Sequence, residues 1–193
     1  EVGWRIEDED VVEEIQSILE EDGIKVYLNT DTTTVEKDEQ DGVTWMAKSP
    51  EGEITLSGSH LLVAVGRVPN SDRLNLEKTS VETDSRGNIK VNGRLETNVP
   101  GIYAAGDIKG GPAFTHISYD DFRILKANLL EDGDQSIEGR LVPYVLFSDP
   151  QLGRIGLSEK EAQKREIEYQ VAKIPMNYIA RTLEIDRSRG LIK

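Results

Sequence analysis

Five consecutive apolar residues, Leu61-Leu62-Val63-Ala64-Val65, constrain the fold of this chain more than any other feature. A half-buried strand alternates apolar and polar side chains. A run apolar on both faces therefore predicts a strand covered from both sides, the central strand of a parallel sheet. Gly66-Arg67-Val68-Pro69-Asn70 ends it with turn chemistry. Upstream, Val11, Val12, Ile15, Ile18 and Leu19 form one stripe at the 3.6-residue period and predict a helix over 8–22. Acidic residues fill its first turn, where the helix dipole favours them, and Gly23 supplies a left-handed stop. Residues 24–28 follow at once as a strand.

Between these elements the texture changes. Residues 32–35, 43–48 and 53–57 are β-prone and are separated by Asp41-Gly42 and Pro50-Glu51-Gly52, which predicts an antiparallel meander. Beyond Pro69, short strands are expected at 89–91 and 102–105, and a helix at 115–130 that stops before Gly133. A third region opens near Arg140. It holds a strand at 141–147 in which Pro143 implies an edge or a strand start, a capping box at Ser158 and Glu161, and a strand at 169–174. The mixture is α/β with an α+β tail.

Composition removes several chemistries. The chain has 193 residues and no cysteine, so no disulfide, thiolate metal site or cysteine nucleophile exists within it. A formal net charge of −13 argues against nucleic acid and against an anionic membrane as partners. No run approaches the roughly 20 apolar residues of a membrane span. The first residue is not methionine and no signal peptide is evident, so a soluble, cytoplasmic protein that opens partway through a longer one is the expectation.

One segment concentrates chemistry. Strand 102–105 ends in Ala104 and Ala105, small residues that let a ligand approach the backbone, and Gly106-Asp107 follows. Ligands of open α/β sheets bind past the carboxyl ends of strands, and an acceptor-only carboxylate there suits a ligand hydroxyl. The helix that begins near Thr115 and His116 would present free N–H groups to negative charge. Taken alone, a Gly-Asp pair after a strand is more often a turn with a loop-capping aspartate. His60 reads as a surface residue at a strand start, His116 as positional, and Trp4 and Trp45 as packing anchors.

The order of motifs outweighs any one of them. Residues 62–70 (LVAVGRVPN), 97–107 (TNVPGIYAAGD), 142–150 (VPYVLFSDP) and Gly156-Leu157-Ser158-Glu159 occur in succession. This series resembles the pyridine nucleotide-disulfide oxidoreductases, the flavoprotein disulfide reductases. Residues 114–119 (FTHISY) and 186–193 (DRSRGLIK) resemble the mercuric reductase and lipoamide dehydrogenase branch. The resemblance implies partial Rossmann-like nicotinamide and FAD domain segments followed by the start of an α+β interface domain. On that pattern, 1–67 is the latter part of the NAD(P)-binding domain, 68–138 the returning segment of the FAD-binding domain, and 139–193 the start of the dimerisation domain. Residues 1–67 and 139–193 are expected to form separate units.

The same resemblance implies roles for particular residues. Gly106-Asp107 matches the position that hydrogen-bonds the ribityl chain of FAD, and Ala113, Phe114, Thr115 and His116 match the stretch whose backbone meets the flavin pyrimidine. Gly66 matches a close approach to bound nicotinamide cofactor, Thr32 an adenine-side contact, and Glu1 the acid that holds adenosine ribose hydroxyls, favouring NAD. The implied cofactors are FAD and NAD(P)H, the acceptor a disulfide or related small molecule, and the assembly a homodimer. The family's glycine fingerprints, redox cysteine pair and proton-handling His-Glu pair have no counterpart in this sequence. An internal piece, inactive by itself, is therefore expected. The other readings are a relative without redox cysteines acting as an NAD(P)H oxidase or quinone reductase, and a non-enzymatic α/β module with a closed core.

Overall fold

The computed structural model describes residues 7–37 and 41–193. Chain contacts divide it into two compact units, one of Glu1–Val65 with Ser158–Lys193 and one of Gly66–Leu157.

The discontinuous unit begins with α1, Glu9–Glu21, whose Ile18 is buried while Val11, Val12, Ile15 and Leu19 are half-buried, the stripe that the period predicts. Gly23, at φ +84°, turns the chain out of the helix. The meander also forms, as β1 (Asp31–Lys37), β2 (Val43–Ser49) and β3 (Gly52–Gly58) in sequential antiparallel order. Tail segments complete this unit: α3 (Glu159–Lys164), the hairpin partners β6 (Ile174–Pro175) and β7 (Leu191–Ile192), and α4 (Ala180–Glu184) between them. Helix α3 carries the expected capping box, Ser158 and Glu161 each accepting the other's backbone N–H.

Residues 158–193 are not separate from 1–65, contrary to expectation. Polar contacts hold them together. The Asp8 carboxylate accepts the N–H groups of Glu159 at 2.9 Å and Lys160 at 3.0 Å, Gly190 N–H donates to Glu14 at 2.9 Å, and Arg189 pairs with Asp22 at 2.6 Å. Charge patterning of this kind carries no apolar periodicity, which is why the sequence did not announce it.

The continuous unit is built on turns and one long helix, α2, Thr115–Leu130, which has the bounds that the sequence predicts. Val81, Ile89 and Ala104 form its core with Leu76, Val91, Val99, Ile102 and Ile108 packed around them. The short antiparallel pair β4 (Tyr144–Leu146) and β5 (Leu152–Arg154) closes it.

Six expected strands are reduced or missing: 89–91 makes only the Thr83–Ile89 bridge, and 141–147 shortens to Tyr144–Leu146. Residues 24–28 and 61–65 carry no ladder, 102–105 makes a single bridge between Glu96 and Tyr103, and 169–174 retains only Ile174 in β6. A strand exists only through a neighbour: 102–105 keeps a bonded one in 95–97, whereas among the described residues 24–28 and 61–65 show no strand partner. Their side chains are correspondingly open: Leu62 is 88% and Val65 89% exposed.

Candidate functional site

Ala104 belongs to the core of the continuous unit, and the chain leaves it through Ala105 into a 3-10 turn, Gly106–Lys109. Gly106 adopts φ +74°, and a Cβ there would stand 3.0 Å from the Ser118 hydroxyl, so both backbone and space call for glycine. The turn presents Asp107 to solvent. Arg67, in the turn after Gly66, donates through Nη1 to Asp107 Oδ2 at 3.0 Å and to the Ala113 carbonyl at 3.3 Å. One guanidinium thus gathers three stretches assigned on sequence grounds: Gly66, Gly106-Asp107 and the start of 113–116.

Helix α2 begins immediately after. Its N-cap, Phe114, has no side chain able to accept a hydrogen bond, so the first-turn N–H groups are not capped from that position. The Phe114 ring stacks on His116 at 5.3 Å and on Tyr144 at 5.8 Å, and Arg154 lies 5.8 Å over Tyr144. His116 is exposed.

Asp121, which sequence reading passed over, is the anchor beneath this surface. It is fully buried on α2 and accepts from Gly106 N–H at 2.8 Å, Arg140 Nη1 at 2.6 Å and Lys109 Nζ at 3.2 Å. The signal was present: Asp121 stands on the stripe of Ile117 and Ile124, a charge at a core position of an apolar face. Arg67 was also missed, although it stands beside Gly66 in a quoted motif.

The remaining assignments fall elsewhere. Thr32 lies in the discontinuous unit, where its hydroxyl accepts Trp45 Nε1–H at 3.0 Å. His60 is exposed and bonds the neighbouring Ser59 hydroxyl at 3.0 Å. Glu1 and Trp4 lie outside the described residues. Among the described residues no cluster of three or more His, Cys, Asp or Glu could hold a metal ion, and no helix is long and apolar enough to cross a membrane.

Small residues at 104–105, an acid in the following turn and a helix start thus follow one another in an α/β chain. The chain belongs to the pyridine nucleotide-disulphide oxidoreductase family, whose pattern matches residues 1–121 and whose dimerisation domain matches residues 142–193. It is 34% identical over 97% of its length to the probable pyridine nucleotide-disulfide oxidoreductase RclA of Escherichia coli (strain K12), covering 42% of that protein. Dihydrolipoyl dehydrogenase of Thermus scotoductus (strain ATCC 700910 / SA-01) is 35% identical over 93% of the chain and 39% of that protein. Mercuric reductase of Streptomyces lividans is 30% identical over 93% and 38%. A solved structure of E. coli RclA, described as a Cu(II) complex of an HOCl-induced flavoprotein disulfide reductase, superposes with a TM-score of 0.85 at 34% identity over 97% of this chain and 42% of that one. The chain therefore spans about two fifths of the relatives it matches.

Proposed function

We propose that this chain is part of an FAD-dependent oxidoreductase that passes hydride from NAD(P)H through flavin to a disulfide or related acceptor. The observation that carries this reading is the Arg67-centred assembly, which brings Asp107, Ala113 and the turn after Gly66 to one surface at the start of α2. Its groups fit the flavin. Asp107 is an acceptor for a ribityl hydroxyl. Arg67 engages Oδ2, and Oδ1 has no hydrogen bond or ion pair to another described residue. The N–H groups at Thr115 and His116, on the positive end of a 16-residue helix, suit the electron-rich edge of the ring.

FAD, when bound, supplies the two-electron relay between nicotinamide and acceptor. The chain's own residues bind and orient it: Asp107 fixes the ribityl chain, and the backbone at 113–116 meets the pyrimidine side. Gly66, at φ +127° with open space where a Cβ would stand, permits the close approach of the nicotinamide cofactor. Thr32 serves the adenine side and Glu1 the ribose hydroxyls, which favours NAD. Residues 1–67 are assigned to the NAD(P)-binding domain, 68–138 to the FAD-binding domain and 139–193 to the dimerisation domain, so the working enzyme is a homodimer. A cytoplasmic location belongs to the same reading. Without a cysteine, these 193 residues do not complete electron transfer to a disulfide by themselves.

The exposed run at 61–65 weighs against a non-enzymatic module with a closed core, because such a module would bury it. The test is to purify the full gene product and titrate it with FAD and NADH. A yellow, stoichiometric complex bleached by NADH is expected; a colourless protein that takes up neither would overturn the reading.

A further inference from the structure

We propose that Asp121 is a positioning residue for the flavin, acting through the turn that carries Asp107. This rests on the reading of Asp107 as the ribityl ligand. Asp121 is 0% exposed, and its two oxygens divide their work. Oδ2 receives Gly106 N–H at 2.8 Å and Lys109 Nζ at 3.2 Å, while Oδ1 receives Arg140 Nη1 at 2.6 Å. Gly106 and Lys109 are the first and last residues of the 3-10 turn. One carboxylate oxygen therefore grips both ends of the segment that displays Asp107.

A buried charge is costly unless paired, and apolar side chains of similar volume would often serve stability as well or better. A requirement for fold alone does not explain this cluster. Its partners are telling: apart from Arg140, Asp121 holds only residues that flank Asp107. The Lys109 side chain is 4% exposed and Arg140 14%, and Arg140 also meets Asp120 at 3.3 Å, so the cluster is sheltered from competing water. Gly106 donates its N–H to Asp121 from φ +74°, and a Cβ there would stand 3.0 Å from the Ser118 hydroxyl, so no other residue takes its place without strain. The whole arrangement delivers the Asp107 carboxylate to one place.

The test is a double-mutant cycle on flavin affinity in the full gene product, with Asp121→Asn, Asp107→Asn and both together. Asp121→Asn should raise the FAD dissociation constant by about tenfold, the equivalent of about 1.4 kcal/mol, and shift the visible flavin band, with far-ultraviolet circular dichroism unchanged. In the Asp107→Asn background it should add less than about twofold, because its effect runs through Asp107. Asp121→Glu should restore part of the affinity. Unchanged affinity in folded Asp121→Asn, or a double variant whose loss equals the product of the two singles, would overturn the proposal. Should Asp121→Asn not fold, Lys109→Met/Asp121→Asn removes one charge of each sign and should fold with the same tenfold loss. Normal affinity there, or failure of both variants to fold, makes Asp121 a scaffold residue and sinks the idea. A wild-type product that binds no FAD would instead remove the underlying flavin reading.

Discussion

Arg67 and Asp107, forty positions apart in the chain, meet at 3.0 Å, and the same guanidinium holds the Ala113 carbonyl. Both side chains are open to solvent, at 72% and 48% exposure, so the pair contributes little to folding. Its consequence lies in order at the surface. Arg67→Gln should leave the melting temperature within about 2 °C of wild type, as expected for a loss well under 1 kcal/mol, and weaken FAD binding in the full gene product by roughly three- to tenfold. Thermal melts and flavin titration read the two effects separately. A large drop in melting temperature would make Arg67 a structural residue.

Asp107→Ala should weaken FAD binding by about one to two orders of magnitude, since a hydrogen bond to a charged acceptor is worth roughly 1.5–3 kcal/mol. Folding should survive, because the side chain faces outward from the turn. Equal dissociation constants in two folded proteins would reduce Asp107 to a loop cap.

The 193 residues expressed alone should show no NADH-dependent disulfide reduction and should desalt colourless after incubation with FAD. They should also bind a hydrophobic dye, because Leu62, Val63 and Val65 are exposed without strand partners. Dye fluorescence at the level of a closed globular control would show that these residues find cover within the chain.

Acid should weaken the discontinuous unit through Asp10. Partial burial raises the pKa of that carboxylate, but hydrogen bonds and charge from Lys173 and Lys193 outweigh it and hold the value down to about 2. A depressed carboxylate stabilises the folded state above its unfolded pKa, and that stability is lost as pH falls from about 4 through about 2. The effect is up to about 2 kcal/mol at low salt. Lys193 works in the opposite window. Burial opposes its charge, yet Glu159, Asp8 and Asp10 raise its pKa, so its contribution is present below the ordinary lysine value and fades as pH rises beyond it. Lys193→Met should flatten both limbs of a denaturation-against-pH curve; an unaltered curve would show that the cluster is inert.

Elements that stabilise themselves locally were legible in the sequence. α1 follows from periodicity, α2 from the stop at Gly133, the meander from Asp41-Gly42 and Pro50-Glu51-Gly52, and α3 from its capping box. The runs at 24–28 and 61–65 were read from composition as strands, but a strand depends on what lies beside it, and composition does not supply a neighbour. At the site, Asp107 was visible through the small residues before it. Arg67 and Asp121 were not, because each acts across forty and fifteen positions respectively, and only the fold brings their partners near.

Asp8 gives the order in which this polypeptide matures. Its carboxylate serves N–H groups 151 and 152 positions later, so the start of α1 acquires these partners only after residues 159 and 160 have been synthesised. The Gly66–Leu157 unit has no such debt and can complete its contacts while the ribosome is still at work. A nascent chain halted before residue 158 therefore holds the Gly66–Leu157 unit whole while the Asp8 carboxylate still lacks the N–H groups of Glu159 and Lys160.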